Sequence, residues 1–369
     1  MISTLMRRKL VALGASVVAG ACIVLCWPTR PHVSEVRTNV LAIIKANVAS
    51  VPKIKEQYEE QGMKTSDPPW QLFHGLLARS GDYEIYSTDG EKWSCLDWLL
   101  RNASWRRLHR SMALTRQGQN GPAFTQIDVP FEFEDHIGQF LFVLMECGID
   151  PNRVDVRVFP DGHLVCMADF VEPLQLECYE FSDLSWALPV ILKWGKKSSW
   201  KNRFGSNLDF DTLFIQLLQR QTTSCLGTHW CYGVARATRY AKDKVRAGLL
   251  RDANTRLREA INDARTNQDS IGCFSILWSP GLKSLRELDN QRISLADRLS
   301  HQGHMLEWLM LAITDAEMAG EEWPHIGIQW LLEHLCEKPR DLDYGGYSHC
   351  VHALELYNSR CTRLLANCE

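Results

Sequence analysis

The sequence lacks most of the short signatures that announce a chemistry. It has no CxxC pair, so neither a zinc ribbon nor a thioredoxin-type redox pair is present. It has no HExxH helix, no G-x-S-x-G nucleophile turn, no P-loop, and no GxGxxG between a strand and a helix. These absences exclude the common metalloprotease, serine-hydrolase, nucleotide-triphosphate and dinucleotide readings. Charge is also nearly balanced, at −3 over 369 residues, so there is no broad basic surface and no nucleic-acid partner is expected. Long alternating apolar–polar runs are scarce, which argues against a β fold.

What is present begins at the N-terminus. Arg7, Arg8 and Lys9 precede an uncharged apolar run from Leu10 to Trp27. That run is long enough to cross most of a bilayer core, and the basic flank before it keeps the N-terminus cytoplasmic. A signal anchor is the first reading. A cleaved signal peptide, with Ala19-Gly20-Ala21 as the small-residue site, is the second, and a lipoprotein box ending at Cys22 is the third. All three place the remaining chain outside the cytoplasm, attached to or passed through a membrane. The expected organisation is a basic tail (1–9), an anchor (10–27), a linker (28–35) and one helical domain (36–369).

Two of the 13 cysteines fall within the anchor. An oxidising compartment permits disulfides among the rest, but their irregular spacing fixes no pairing. Cys147, Cys166 and Cys336, on apolar helix positions, are read as small buried hydrophobes. The 13 tryptophans are read mainly as core, with stacking platforms for a sugar or isoprenoid as the functional alternative.

The most informative feature is recurrent. Five segments each show histidine and then run on as an apolar helix with small residues. They are WQLFHGLLA (70–78), DHIGQFLFVLMECG (135–148), LGTHWCYGVARATRYA (226–241), LSHQGHMLEWLMLA (299–312) and YGGYSHCVHALELY (344–357). Repetition along a chain points to stacked helical units. These segments alternate with more charged helices, a pattern that suits an inner buried layer and an outer half-wet one. The expected fold is all-α, an α/α toroid of about six helical hairpins.

Local signals add detail. A helix from Val36 to about Gln61 is expected to break at Val51-Pro52. Residues 81–92 read as a loop or small hairpin, 115–130 as a surface excursion, 151–163 as an irregular connection and Lys193–Arg203 as a solvated loop. A helix is expected to start near Glu134, and Ser182 to cap the helix that follows it. Asp209 and Asp211 read as helix-start carboxylates.

In a toroid, inner helices run parallel, so histidines near their starts converge. His229, His304 and His349 are the catalytic candidates. His74, His136, Trp230, His301 and His352 are the candidates for holding a substrate. His301 and His304 are three apart, as are His349 and His352, so each pair shares a helix face. Asp135 and Glu307 are the carboxylates placed to orient an imidazole, beside His136 and three residues after His304 respectively. The bland alternative is that each histidine satisfies its own helix end.

The segments GTHWCYGVARA, NQDSIGCF and GGYSHCVHALELY resemble the protein prenyltransferase and terpene cyclase group, over about residues 225–357. The resemblance implies the toroid fold. It also implies a zinc ligand at His349, although the Asp-x-Cys pair of the prenyltransferases is missing (Asp297-Arg298-Leu299 is nearest) and the cyclase D-x-D-D is absent. Trp230-Cys231-Tyr232-Gly233 is similar to the W-C-x-G zinc segment of the lanthionine cyclases, which implies Cys231 as a ligand. The Cys-His-Gly segment of that family has no counterpart, since Ser348-His349-Cys350 reverses the order.

Three function classes follow. The first is a membrane-tethered extracytoplasmic toroid enzyme acting on a small-molecule, glycan or lipid-linked substrate in a histidine-lined centre. The second is a zinc-dependent prenyltransferase- or cyclase-like enzyme. The third is a toroid that binds a partner and catalyses nothing.

Overall fold

The computed structural model describes residues 33–101, 114–124, 134, 136–158, 161–179, 182–219, 224–276, 278, 293–336 and 342–367. The expected tail and anchor, residues 1–27, lie outside the described residues. No helix among the described residues is long and apolar enough to cross a membrane.

The described chain is mostly helical, with a few short strands. Helix α1 runs Val33–Glu60 without the expected break, and Pro52 sits inside it. Val40, Ile44, Asn47, Val51, Ile54 and Tyr58 are all buried on it, at helical spacing. An interior proline costs about 3 kcal/mol. Burial of each large apolar side chain in that stripe returns about 1.5–3 kcal/mol, so packing holds the helix through the proline.

Then come α2 (Pro69–Arg79), the hairpin β1 (Glu84–Tyr86) and β2 (Lys92–Ser94), and α3 (Cys95–Leu100). A second hairpin, β3 (Thr115–Gly118) with β4 (Gly121–Phe124), precedes α4 (Gln139–Glu146). A third, β5 (Val154–Arg157) with β6 (Leu164–Cys166), leads through a single 3₁₀ turn into α5 (Val171–Glu177). After α6 (Leu184–Trp194), the fourth hairpin, β7 (Ser199–Lys201) with β8 (Asn207–Asp209), runs straight into α7 (Phe210–Gln219). The chain closes with α8 (Thr228–Tyr240), α9 (Ala247–Asn267), α10 (Leu295–Ala312), α11 (Asp315–Gly320), α12 (Trp323–Leu335) and α13 (Tyr344–Ala366).

All four hairpins are antiparallel and two-stranded. They correct the expectation of irregular connections at 115–130, 151–163 and Lys193–Arg203. Strands of three or four residues are too short to show alternation. Three of them hand over directly to a capped turn of helix: Ser94 accepts the Asp97 N–H at 2.9 Å, Asp169 accepts the Cys166 N–H at 2.9 Å, and Asp209 accepts the Thr212 N–H at 2.7 Å. Asp211 lies in the first turn of α7, as expected, and pairs with Arg246 at 2.7 Å.

Two helix starts also differ from expectation. The helix expected near Glu134 begins at Gln139, because the Glu134 carboxyl stands outside it and accepts the Phe140 N–H at 2.9 Å. The cap of α6 is Asp183, which accepts the Ser185 N–H at 3.0 Å, while Ser182 accepts the Tyr179 N–H at 3.1 Å. Cys336 is exposed and Cys147 and Cys166 are only half-buried, so the small-hydrophobe reading fails for Cys336, at the C-terminus of α12 where the helix meets solvent. No disulfide is present among the described residues. Trp230, Trp278, Trp308 and Trp330 are fully buried and act as core.

Six helices pack in a closed circuit: α2 on α4, α4 on α6, α6 on α8, α8 on α10, α10 on α13, and α13 back on α2. Most of the other described helices back onto this circuit. The α3 helix packs on α2, α5 on α6, α7 on α6 and α8, α9 on α8, α12 on α10, and α1 on α13. Close approach is built in by glycine. A Cβ on Gly303 of α10 would lie 2.7 Å from the Cys350 nitrogen of α13, and one on Gly233 of α8 would lie 2.4 Å from the Ser185 oxygen of α6. Only residues without a Cβ let these backbones meet at that distance.

Candidate functional site

Five of the six circuit helices carry or adjoin one of the histidine segments, and their imidazoles meet. His74 is the sixth residue of α2, His229 the second of α8, His304 the tenth of α10 and His349 the sixth of α13, so they do not share one position along their helices. The α10 helix begins one to two turns earlier, relative to its histidine, than its neighbours. The absence of a Cβ at Gly303, between the backbones of α10 and α13, is what lets the His304 and His349 rings approach to 3.8 Å between centroids.

The other ring contacts extend the cluster. His74 lies edge-on to His349 at 5.1 Å, and His229 stacks on His304 at 5.2 Å. His136, just before α4, meets His229 edge-on at 5.2 Å. Trp186 of α6 closes against His229 at 4.8 Å. His74, His229, His304 and His349 are all buried. A separate cavity of about 350 Å³, lined by Arg116, Phe124, Glu134, Leu141, Phe170 and Arg203 among others, is not lined by any of these histidines.

Hydrogen bonds fix most of the rings. The His74 Nδ1–H donates to the Trp70 carbonyl at 2.6 Å, and the His304 Nδ1–H to the Ser300 carbonyl at 2.8 Å. A carbonyl only accepts, so each neutral ring keeps its proton on Nδ1 and offers a lone pair at Nε2. His349 and His352 both donate from Nδ1 to the Glu307 carboxylate, at 2.9 Å and 2.7 Å for the shorter contacts. The sequence spacing points Glu307 toward His304, three residues before it. The carboxylate instead reaches across to α13, which packs directly against this face of α10. Burial alone would raise the Glu307 carboxyl, but the charges and hydrogen bonds of His349 and His352 hold it well below the usual carboxylate range. Burial lowers His74 and His229 well below the ordinary imidazole value and lowers His304 to about 3, with the neighbouring imidazoles acting in the same direction.

His229 is different. Neither of its ring nitrogens meets a hydrogen-bond partner among the described residues, although the residue is only 6% exposed. Buried polar atoms are rarely left so, and such an atom calls for an explanation. Cys225, His229 and His304 each offer a ligand atom within 4.8 Å of the other two. Cys225 lies in the turn before α8, where Cys225 (φ 45°), Leu226 (φ 57°) and Gly227 (φ 85°) are consecutively left-handed. For cysteine and leucine that conformation is costly, and such strain concentrates at functional sites.

The other expected residues sit elsewhere. Asp135 lies outside the described residues, and the carboxylate beside His136 is Asp183, at 3.3 Å from Nδ1. His301 is buried against the Ser275 main chain, and burial lowers it to about 4. Trp230 is fully buried and donates its Nε1–H to the Leu217 carbonyl at 2.7 Å, facing α7 rather than the cluster. Cys231 is fully buried with its thiol pushed well up by burial; two residues after His229, it lies on the opposite side of α8 and is not among the clustered ligand atoms. His352 reaches toward Tyr232, 6.3 Å away between centroids, and Tyr232 donates to Glu146 at 3.3 Å, which also pairs with the buried Arg236.

Cys225, Asp183 and Trp186 are site residues that the sequence pattern does not single out. Cys225 is four residues before His229, but the backbone between them is left-handed rather than helical, so that spacing alone does not place the two together. Compared with protein-family models, curated proteins and solved structures, the chain shows no significant match.

Proposed function

We propose that this chain is an α/α toroid whose inner circuit gathers an active centre at His349, His304, His229 and His74. His349 is read as the general base. The observation that carries this is the Glu307 carboxylate, 4% exposed, held between His349 and His352. A carboxylate on Nδ1 orients an imidazole and strengthens Nε2 as a proton acceptor, which is the arrangement general-base catalysis needs. The closed packing circuit supports the toroid reading. With residues 10–27 read as a membrane anchor, the substrate class is a glycan or lipid-linked molecule presented at a membrane surface.

The test is turnover by the purified chain of lipid-linked oligosaccharides and of chromogenic glycosides. Turnover is expected to vanish in His349→Gln and to fall about 10²-fold in Glu307→Gln. Turnover that survives His349→Gln in a folded protein overturns the reading.

A further inference from the structure

We infer that Cys225, His229 and His304 form a binding site for a divalent metal ion of the zinc type. The inference rests on the reading above that the cluster is the working centre, but it concerns binding and is tested by binding.

His229 has unmet chemistry. Its two nitrogens are enclosed by the His136, Trp186 and His304 rings and have no partner among the described residues. The tautomer of His304 also fits. Metal-bound imidazoles characteristically donate their other N–H to a carbonyl or carboxylate, which fixes the ring and leaves the remaining nitrogen bare. His304 already does this through Ser300, so only Nε2 is left to serve as its ligand atom. The donor set points the same way. One sulfur and two imidazole nitrogens suit zinc-type ions, and three protein ligands leave a fourth position open for water or substrate, as in catalytic rather than structural sites.

Geometry is compatible. Tetrahedral zinc with the usual bond lengths holds its ligand atoms about 3.3–3.7 Å apart. Here they lie within 4.8 Å of one another, so each need move only about 1 Å. Cys225 is exposed on the turn before α8, whereas both imidazoles are buried. A trapped water would answer a nitrogen of His229 by hydrogen bonding, but it gives no reason for a thiol to stand at the same point. The backbone at Cys225 and Leu226 is left-handed just before α8, and the thiol stands within reach of the His229 and His304 ligand atoms. The glycine at Gly303 brings His349 alongside, so the Glu307-oriented base stands next to the open position.

The experiment uses the full chain, stripped with a chelator and titrated with cobalt(II), then with zinc(II) in competition. The expected result is about one equivalent of cobalt, with the visible bands of a tetrahedral site and a near-ultraviolet sulfur-to-cobalt band. Cys225→Ser is expected to lose the sulfur band, and His229→Ala to weaken binding about 10-fold or more. Cys336→Ser, altered at an exposed thiol outside the cluster, is expected to keep the full spectrum. Far-ultraviolet circular dichroism checks each fold, and should His229→Ala fail to fold, Cys225→Ser on its exposed turn decides the outcome. No cobalt binding, a spectrum without a sulfur band, or a sulfur band that survives Cys225→Ser overturns the inference. His349→Gln separates the two readings, since it is expected to abolish turnover while the cobalt spectrum persists. Turnover by a protein that takes up no cobalt sinks the metal site alone, whereas a metal-loaded His349→Gln that still turns over sinks the catalytic reading alone.

Discussion

His325 and His229 are both buried imidazoles on helices, yet their surroundings are opposite. His325, on α12, has both nitrogens engaged: Nε2 donates to the Met318 carbonyl at 2.7 Å, and Nδ1 accepts from the Tyr357 hydroxyl at 2.9 Å. Asn47 of α1 adds to this knot by donating to the His325 carbonyl at 3.0 Å and to Tyr357 at 3.4 Å. Four helices, α1, α11, α12 and α13, are tied together there. His229 is also buried but has no hydrogen bond to lose among the described residues. A saturated imidazole is structural, because removing it strands its partners. An orphaned one costs the fold something to bury, and the protein keeps it where four other imidazoles and a thiol converge.

The largest expected effect breaks the cluster without touching the His325 knot. In Gly303→Val the new side chain would collide with the α13 backbone, since even a Cβ lies 2.7 Å from the Cys350 nitrogen. The expected cost is about 3 kcal/mol of stability. Chemical denaturation measures it, and a cost under about 1 kcal/mol would mean that α10 and α13 are not in the described contact.

Next is His325→Leu. It strands the Tyr357 hydroxyl, the Met318 carbonyl and part of the Asn47 network, so a loss of about 2–3 kcal/mol is expected by the same measurement. A near-neutral result would show that this knot is not the structural counterpart of the cluster.

The contrast between these regions is only partly legible in the sequence. The histidine segments stand out because apolar helices with small residues leave a strong periodic signal, and helical dominance follows from the same pattern. Pro52 misleads because local propensity is outweighed by a buried stripe that is also visible, at Val40, Ile44, Val51, Ile54 and Tyr58. The hairpins escape notice because three-residue strands carry no period, although the Asp89-Gly90 and Asp161-Gly162 dipeptides mark two of their turns. At the cluster, residue types can be nominated from sequence but partners cannot. Glu307 serving His349 rather than His304 is decided by how closely α10 and α13 pack, a tertiary fact. Cys225 sits in a polar turn with no metal signature, and neither its left-handed backbone nor its nearness to His304 is marked by any pattern. His325 looks no different from the other histidines in sequence, since what sets it apart is Tyr357, 32 residues away.

A smaller effect is the pH dependence of the His325 knot. Burial lowers His325 to about 4 against an ordinary value of 6.5. The unfolded chain therefore takes up the proton first as pH falls. The stability contribution is complete above pH 6.5 and is lost progressively as pH drops from 6.5 toward 4. Between pH 7 and pH 5 this amounts to about 2 kcal/mol. Burial lowers His74, His229, His301 and His304 in the same direction, so the readout is a difference. The pH slope of stability in His325→Gln should be shallower than that of the unaltered protein by this amount. Equal slopes would show that His325 is not held neutral by the fold.

The smallest stability effect belongs to His229→Leu, and it is the sharpest test of the comparison. Leucine removes two nitrogens that bond to nothing described and leaves an apolar side chain against Trp186. In chelator-treated protein the variant is expected to be within about 1 kcal/mol of the unaltered chain, on the stable side if anything. A loss like that of His325→Leu would mean that His229 makes a structural bond, and the two imidazoles would then be alike. Added zinc(II) turns the same pair of proteins into a second measurement. A ligand that binds only the folded state raises stability in proportion to the logarithm of its saturation, about 2.7 kcal/mol at 100 times the dissociation constant. The unaltered chain is expected to gain this increment and His229→Leu to gain little of it. The residue that contributes least to the metal-free fold would then be the one on which the metal-bound fold depends most.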